Sequence, residues 1–258
     1  MYQPRTYRHW IKDKDLVSFQ VAVKETDLYI RAQSNLKQKA LKLVLKYRQL
    51  LEGYIERHPS FLTSLEPVAT GDDAPRIVTE MAEAARKVGV GPMASVAGAI
   101  AEFVGVQLLD SSPEIIVENG GDIYLKSRED RLIGIYAGKS PLTGKLGLEI
   151  KGRDTPMGIC TSSGTVGHSL SYGKADAVIV LSKSAVLADA AATAIANMIN
   201  RPEDIPAGIE FARGIEDLSG VVIIQGDKMG LWGEVKIGQT PAKTADEEYA
   251  SLKQRKGR

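Results

Sequence analysis

Residues 159–199, ICTSSGTVGHSLSYGKADAVIVLSKSAVLADAAATAIANMI, hold the most distinctive run of side chains in the chain. The run contains the only cysteine, Cys160, and one of the three histidines, His168. A loop rich in Ser, Thr and Gly is followed by the apolar run DAVIVLS and then by a segment made mostly of alanine. This order predicts a buried strand followed by a small-residue helix that packs tightly on a sheet.

The segments around this run alternate between strand and helix patterns. Residues 16–32 predict an outer β-hairpin, because apolar and polar residues alternate on both sides of a polar break. A helix should follow, with Ser34 or Asn35 as its cap. The apolar stripe expected for that helix is Leu36, Ala40, Leu43, Tyr47, Leu50 and Tyr54.

The remaining elements complete a mixed fold. Helices are predicted from Pro75 to about Val88, over 89–109, over 185–199 and over 202–215. Short strands are expected within 114–152 and at 176–182, and a hairpin over 220–235 should turn at residues 227–230. Helices inserted among antiparallel strands indicate the α+β class.

Composition narrows the possible functions. The chain has 258 residues, 43% of them hydrophobic and 25% charged, with a formal net charge of +1. This balance gives no electrostatic case for nucleic acid or for an acidic membrane as a partner. A single cysteine excludes an internal disulfide and a cysteine-built zinc site. The polar N-terminus has no apolar core like that of a secretory signal, so we expect a cytoplasmic protein.

We expect one domain over residues 1–258, since no linker separates two compact units. Residues 1–65 would form its N-terminal hairpin plus helix, and residues 240–258 a charged tail that is partly disordered.

Three motifs could carry chemistry. In Asn119–Asp122, NGGD, the two glycines allow either a simple hairpin turn or a close approach to a flat ligand. In 189–193, DAAAT, Asp189 and Thr193 share one helix face, where their oxygens could bind a hard divalent cation. The alternative is that the Thr193 hydroxyl bonds back to its own helix.

The third motif is the 160–173 loop, CTSSGTVGHSLSYG. Its N–H and hydroxyl groups could bind an anion, while His168 could move a proton or be merely hydrogen-bonded. Cys160, expected near the end of a strand, could be an inert buried residue or a reactive thiolate.

The order NGGDI, then Ser-Gly and His, then AVLADAAATA resembles the ApbE family of FAD:protein FMN transferases. A poorly characterised cytoplasmic branch of that superfamily resembles this chain over most of its length. The resemblance implies an ApbE-like fold, with mainly antiparallel sheets and packed helices. It also implies FAD or a related flavin nucleotide as ligand and Mg²⁺ as metal ion.

The same resemblance suggests roles for individual residues. Asp189 and Thr193 would bind the metal ion, and His168 would lie near the phosphates. From their own chemistry, His168 as a proton carrier and Cys160 as a thiolate are the catalytic candidates. The nucleotide would contact residues from three segments: Asn119, Gly120, Gly121, Asp122, Ser162, Ser163, Gly164 and Glu102. Ala97 stands where the transferases have a lysine, and Ser171 stands where they have an aspartate.

Three functions remain open from the sequence. The first is flavin or nucleotide binding, with transferase activity of the FMN transferase type as the possible enzyme function. The second is sulfur assimilation, with Cys160 carrying a persulfide; this predicts a depressed pKa of its thiol. The third is a non-catalytic oligomeric scaffold. A homodimer is plausible because symmetric dimers are common, and the sequence does not identify an acceptor protein.

Overall fold

In a computed structural model, which describes residues 15–165 and 172–240, the main element is an eight-stranded antiparallel sheet. Its strand order is β1-β2-β3-β4-β7-β8-β9-β10. The strands are β1 (Val17–Val23), β2 (Thr26–Ala32), β3 (Ile115–Asn119), β4 (Asp122–Lys126), β7 (Met157–Ser162), β8 (Ala177–Ser182), β9 (Leu218–Gln225) and β10 (Lys228–Gly233). A second sheet, in the order β11-β6-β5, consists of β5 (Arg131–Gly134), β6 (Leu146–Ile150) and β11 (Ile237–Gln239).

The two faces of the large sheet carry two hydrophobic cores. One core lies under the helices and includes Val117, Tyr124, Cys160 and Val180. The other lies under the small sheet and includes Ile116, Leu125, Ile159 and Ile179. Neighbouring residues of a strand point to opposite faces, so each buried strand supplies both cores. This three-layer arrangement confirms the predicted α+β class.

Six α-helices in the described ranges cover one face of the large sheet. They are α1 (Lys37–Arg57), α2 (Ser60–Thr63), α3 (Arg76–Val88), α4 (Val96–Leu108), α5 (Ala185–Met198) and α6 (Ile205–Arg213). Helix α5 is buried along most of its length against β7, β8, α3 and α4. Small residues on both sides permit this close packing. A Cβ added to Gly158 of β7, for example, would overlap the backbone of Ala185 in α5. No single helix in the described ranges is long and apolar enough to cross a membrane. Only α3 together with 92–108 passes that test, and these two segments are bent by 105°.

Most predicted elements are present, with local corrections. The first hairpin is confirmed, with β1 at an edge of the sheet. The N-cap residue of α1 is Leu36, so the prediction of Ser34 or Asn35 as the cap was wrong. Asn35 lies one position earlier and accepts a hydrogen bond from the Lys37 N–H (3.0 Å). The buried stripe of α1 is Ala40, Val44, Tyr47, Leu51 and Tyr54. Leu36 and Leu43 pack half-buried against the same core, so only the prediction of Leu50, which is exposed, was wrong.

The predicted turn at 227–230 was also wrong, because β9 and β10 are joined at Gly226 and Asp227. Gly230 instead lies within β10, where an added Cβ would overlap Ile205 of α6. The glycine therefore serves packing and not the turn. The predicted tail at 240–258 lies, apart from Thr240, outside the described residues.

Candidate functional site

The candidate site lies where β3, β4 and β7 meet helices α4 and α5. Gly120 and Gly121 form the turn between β3 and β4, with φ angles of 71° and 114° that favour glycine. The N–H of Gly121 donates to Glu118 Oε1 (2.9 Å), which fixes the turn. Asp122 then begins β4 with its side chain 6% exposed, on the same face as Tyr124 and hence toward the helices. NGGD is therefore a hairpin turn, and it also places a buried carboxylate.

Asp189 approaches Asp122 from the helix layer. Its side chain is 8% exposed, and Oδ2 accepts a hydrogen bond from the N–H of Gly98 at the start of α4 (2.8 Å). Gly98 is necessary for this contact, because a Cβ there would overlap the Ala185 carbonyl oxygen. The sequence thus brings two acids together from segments 67 residues apart by number.

The two carboxylates lie in an environment that disfavours their charge. Burial raises the pKa of Asp122 well above its usual value, and the neighbouring Asp189 raises it further. Burial also raises the pKa of Asp189 to about 7, although the N–H groups of Gly98 and Ala97 oppose the shift. No Lys or Arg among the described residues makes an ion pair with either acid. The Asp122 carboxylate accepts instead from the Thr161 N–H (3.1 Å).

Cys160 and Ser162 line the strand side of this cluster. Both belong to β7 and face the helices, as does Gly158 between β7 and α5. The Cys160 thiol donates to the Ala185 carbonyl (3.3 Å). Ser162 is 5% exposed, and its Oγ has no hydrogen-bond partner in the part of the chain described. A buried hydroxyl without a partner is costly, so it indicates a site that a ligand completes.

The thiol chemistry predicted for Cys160 does not fit its surroundings. Burial raises the pKa of the thiol well above its usual value, and the carboxylates of Asp122 and Asp189 raise it further. The predicted depressed pKa is therefore wrong. Cys160 is the fourth of the six residues of β7, so two residues of the strand follow it.

Asn119 and Glu102 do not extend into an open site. The Asn119 amide Nδ2 donates to the Ala97 carbonyl oxygen at the start of α4 (3.0 Å). The Glu102 carboxylate lies at the other end of the α4–α5 contact and accepts three hydrogen bonds there, from Ser184, Ala185 and Val186. Both residues, predicted as nucleotide contacts, hold neighbouring segments in place.

The remaining predicted residues divide into two groups. Thr193 lies one turn after Asp189 on α5 and is 7% exposed; no hydrogen bond of its hydroxyl to its own helix is found in the described chain. Ser163 and Gly164 lie at the end of β7, where each donates to the Ala175 carbonyl (3.3 and 2.9 Å). His168 and Ser171 lie outside the described residues.

Whether the site suits a divalent cation depends on the oxygen ligands that its side chains offer. No group of three or more His, Cys, Asp or Glu side chains in the described ranges is arranged to hold a metal ion. Mg²⁺, however, is usually bound by one or two carboxylates together with substrate phosphates and water. Two buried acids without a Lys or Arg partner among the described residues, with Thr193 and Ser162 as hydroxyl donors, fit that mode of binding.

Two surface grooves lie away from this cluster. One, of about 600 Å³, is lined by α1 and Pro75. The other, of about 580 Å³, lies outside the N-terminus of α5 between Glu80, Lys87 and Asp217. Neither groove includes Asp122 or Asp189, so we assign the site from its chemistry.

Sequence reasoning missed two features of the site. One is the pair of N–H groups of Ala97 and Gly98, which hold Asp189. The other is Glu118, which fixes the Gly121 N–H and whose charge contributes to the raised pKa of Asp122. An acidic residue inside the apolar run EIIVEN was the available signal for Glu118.

Comparison with known proteins gives the context of this geometry. A family model described as AbpE bacteria matches residues 8–217. A UPF0280 protein of Methanocaldococcus jannaschii is 45% identical over 221 residues, covering 83% of this chain and 90% of that protein. A UPF0280 protein of Methanopyrus kandleri is 42% identical over 228 residues, covering 84% and 91%.

Two solved structures share the fold at low sequence identity. The apo form of the Pseudomonas stutzeri flavinyl transferase ApbE has a TM-score of 0.51 and 13% identity, covering 84% of this chain and 93% of that one. The ApbE protein of Thermotoga maritima has a TM-score of 0.54 and 13% identity, covering 85% and 97%. The ApbE-like fold expected from the sequence motifs is confirmed.

Proposed function

We propose that this chain, which belongs to the AbpE bacteria family and to the UPF0280 proteins, binds a flavin nucleotide together with a divalent cation. The cation would lie at the Asp122–Asp189 site, which we define as Asp122, Ser162, Asp189 and Thr193. The observation that carries the proposal is the pair of buried carboxylates without a basic partner among the described residues. The Pseudomonas stutzeri neighbour is a flavinyl transferase, which supports a flavin as the nucleotide.

The proposed ligand explains why the chain retains site residues that destabilise the ligand-free fold. Two buried acids that repel one another, and a buried hydroxyl without a partner, destabilise a folded chain. A divalent cation with a pyrophosphate would supply positive charge to the acids and acceptors to the hydroxyl groups. When bound, the cation would neutralise charge on the pyrophosphate.

Different residues of this chain would hold the cation, the phosphate and the flavin. Asp189 and Thr193 would hold the cation from α5, and Asp122 would hold it from the sheet. Ser162 would donate its free hydroxyl to the phosphate, and Gly120 and Gly121 would let the flavin approach the turn. His168, outside the described residues, stays a candidate for proton transfer.

Binding and group transfer are separate parts of the proposal. The resemblance places a lysine of the transferases at the position of Ala97, so this chain lacks that fixed cation next to the phosphates. Transfer of FMN from FAD breaks the pyrophosphate bond and releases AMP. We therefore place nucleotide binding first, with transfer as a second activity that needs an acceptor protein not yet known.

The test is a titration of the purified chain with FAD, followed by flavin fluorescence, with and without MgCl₂ at pH 8. We expect saturable binding that requires Mg²⁺ and that Asp189→Asn abolishes. Asp204→Asn is the matched control, because Asp204 also accepts backbone N–H bonds but lies before α6 (3.0 and 3.1 Å). Chromatography of the same samples for FMN and AMP reports cleavage. Binding of FAD that is indifferent to Mg²⁺ and to Asp189 would contradict the proposal.

The cytoplasmic location and the oligomeric state stay predictions. A second function, persulfide transfer by Cys160, is disfavoured by its raised thiol pKa. Cys160→Ser should accordingly leave Mg²⁺-dependent FAD binding close to that of the wild type.

A further inference from the structure

Helices α4 and α5 hold each other by their N-terminal ends. Asp189 of α5 accepts from the Gly98 N–H in the first turn of α4 (2.8 Å). Glu102 of α4 accepts from the Ala185 and Val186 N–H groups in the first turn of α5 (2.6 and 3.1 Å). The first N–H groups of a helix have no partner within the helix, so each carboxylate satisfies donors that would otherwise be unpaired.

The Glu102 contact depends on one oxygen atom. Oε2 accepts both backbone bonds and also the bond from the Ser184 hydroxyl group (3.1 Å). Ser184 is in turn the N-cap of α5, where its Oγ accepts from the Leu187 N–H. Hence the position of the α5 N-terminus is determined by a side chain of α4 as well as by its own cap.

The spacing along α5 connects this contact to the proposed site. Asp189 lies one turn after Ala185, and Thr193 lies one turn after Asp189, on the same face of the helix. The helices also touch through their backbones, since an added Cβ on Gly98 would overlap the Ala185 carbonyl oxygen. A shift of the first turn of α5 would therefore move Asp189 relative to Asp122.

We propose that Glu102 is a positioning residue, which holds the first turn of α5 so that Asp189 and Thr193 face Asp122. The proposal rests on the proposed function, because it assigns Glu102 a role in the same cation site. Glu102 does not bind the nucleotide; it acts through α5.

Three variants separate position from charge. Glu102→Gln keeps the length and one acceptor oxygen but removes the charge. Glu102→Asp keeps the charge but is one methylene too short to reach both N–H groups. Glu102→Ala removes both. If Glu102 acts by fixing the position of the first turn of α5, the Glu102→Asp and Glu102→Ala variants should weaken Mn²⁺-dependent FAD binding about tenfold. This is the lower end of the effect for groups that orient metal ligands. The Gln variant should stay close to the wild type.

The experiment measures the dissociation constant of FAD by calorimetry at saturating MnCl₂, together with the free energy of unfolding of each variant in urea. Asp204→Asn is the matched control, since it disturbs another carboxylate that accepts two backbone N–H groups. It should leave the dissociation constant unchanged whatever its effect on stability.

Each other outcome overturns the proposal. Wild-type affinity for FAD in Glu102→Asp would show that the position of the first turn of α5 does not determine the affinity. A Glu102→Gln variant as weak as Glu102→Ala would make charge the cause. Loss of affinity in Asp204→Asn would show a general effect of stability. A wild-type chain that binds neither Mn²⁺ nor FAD would remove the proposed function and this inference together, whereas unchanged affinity in all Glu102 variants would remove only the inference.

Discussion

The two ends of the β3–β4 hairpin carry buried acids in opposite electrostatic surroundings. At the open end, Glu114 and Asp15 bind Arg131; we call Asp15, Glu114, Ser127 and Arg131 the Arg131 cluster. At the turn end, the Asp122–Asp189 site has two acids and no basic partner among the described residues. Both ends belong to one sheet, and only one of them satisfies its charges from within the described chain.

The difference is visible in the pKa values. Burial tends to raise the pKa of Glu114, but the Arg128 N–H, Ser127 and Arg131 outweigh it, so that pKa is lowered. The hydrogen bond from Arg131 lowers the pKa of Asp15. At the other end the pKa values of Asp122 and Asp189 are raised. Loss of the arginine from a paired cluster leaves a buried charge uncompensated, whereas buried acids with raised pKa values and no basic partner are typical of functional sites.

The largest loss of stability is expected when the arginine of the Arg131 cluster is removed. Arg131→Met leaves Glu114, with a side chain only 7% exposed, as a buried charge without its arginine. We expect a loss of about 3 to 5 kcal/mol in the free energy of unfolding, measured in urea. Arg201→Met is the control, because Arg201 is 73% exposed in its ion pair and should cost less than about 1 kcal/mol. Equal losses in the two variants would contradict the comparison.

A smaller loss is expected where α4 approaches the unpaired end. Gly98→Ala would force the two helices apart and lengthen the bond from the Gly98 N–H to Asp189. Overpacking of this kind costs about 1 to 3 kcal/mol, and FAD binding should weaken with it. Gly53→Ala in α1 is the matched control: no atom lies within 4 Å of the added Cβ, so stability should rise by about 0.5 to 1 kcal/mol. A Gly98→Ala variant as stable as Gly53→Ala would refute the close contact.

The pH dependence of stability distinguishes the two ends. Asp189 has a folded-state pKa of about 7, above its unfolded value, so its contribution is present at low pH and is lost as pH rises through 7. Between pH 5 and 8 the ligand-free chain should lose on the order of 1 kcal/mol per pH unit. Asp189→Asn should flatten this slope, which urea unfolding at several pH values will show.

The contribution of the Arg131 cluster to stability should depend on pH with the opposite sign. The lowered pKa values of Glu114 and Asp15 give stability that is present near neutral pH and is lost only as pH falls below the usual range of acids. A wild-type slope between pH 5 and 8 that Asp189→Asn does not change would place the titrating group elsewhere.

The smallest effect on stability is expected at Ser162. Its hydroxyl has no partner in the described chain, so Ser162→Ala should leave the unfolding free energy unchanged or raise it by about 0.5 kcal/mol. FAD affinity should nevertheless fall. Ser182→Ala is the control, because that buried hydroxyl donates to the Asp217 carbonyl (2.8 Å), and its loss should cost about 1 kcal/mol. A stability loss in Ser162→Ala equal to that in Ser182→Ala would argue against a free hydroxyl.

Much of the fold could be predicted from the sequence, because alternation and apolar stripes report local geometry. The hairpin of β1 and β2 and the helix α5 follow directly from such patterns. The turn between β9 and β10 did not, since Gly230 looked like a turn residue but makes room for Ile205. Local patterns do not show which distant side chain a glycine must accommodate.

The same limit applied to the site. Motif order brought Asp122 and Asp189 into one hypothesis, and the structure places them together. The family resemblance placed Glu102 at the nucleotide, yet its carboxylate faces the N-terminal end of α5. Spacing within one helix fixes the face of that helix, but it does not identify the neighbour that this face contacts.

The most direct test of the unpaired acids is the binding of Mn²⁺ to the chain without nucleotide at pH 8, followed by electron paramagnetic resonance. The account predicts one bound Mn²⁺ per wild-type chain and none in the Asp122→Asn and Asp189→Asn variants, with Asp204→Asn like the wild type. Equal Mn²⁺ binding in all four proteins would contradict it.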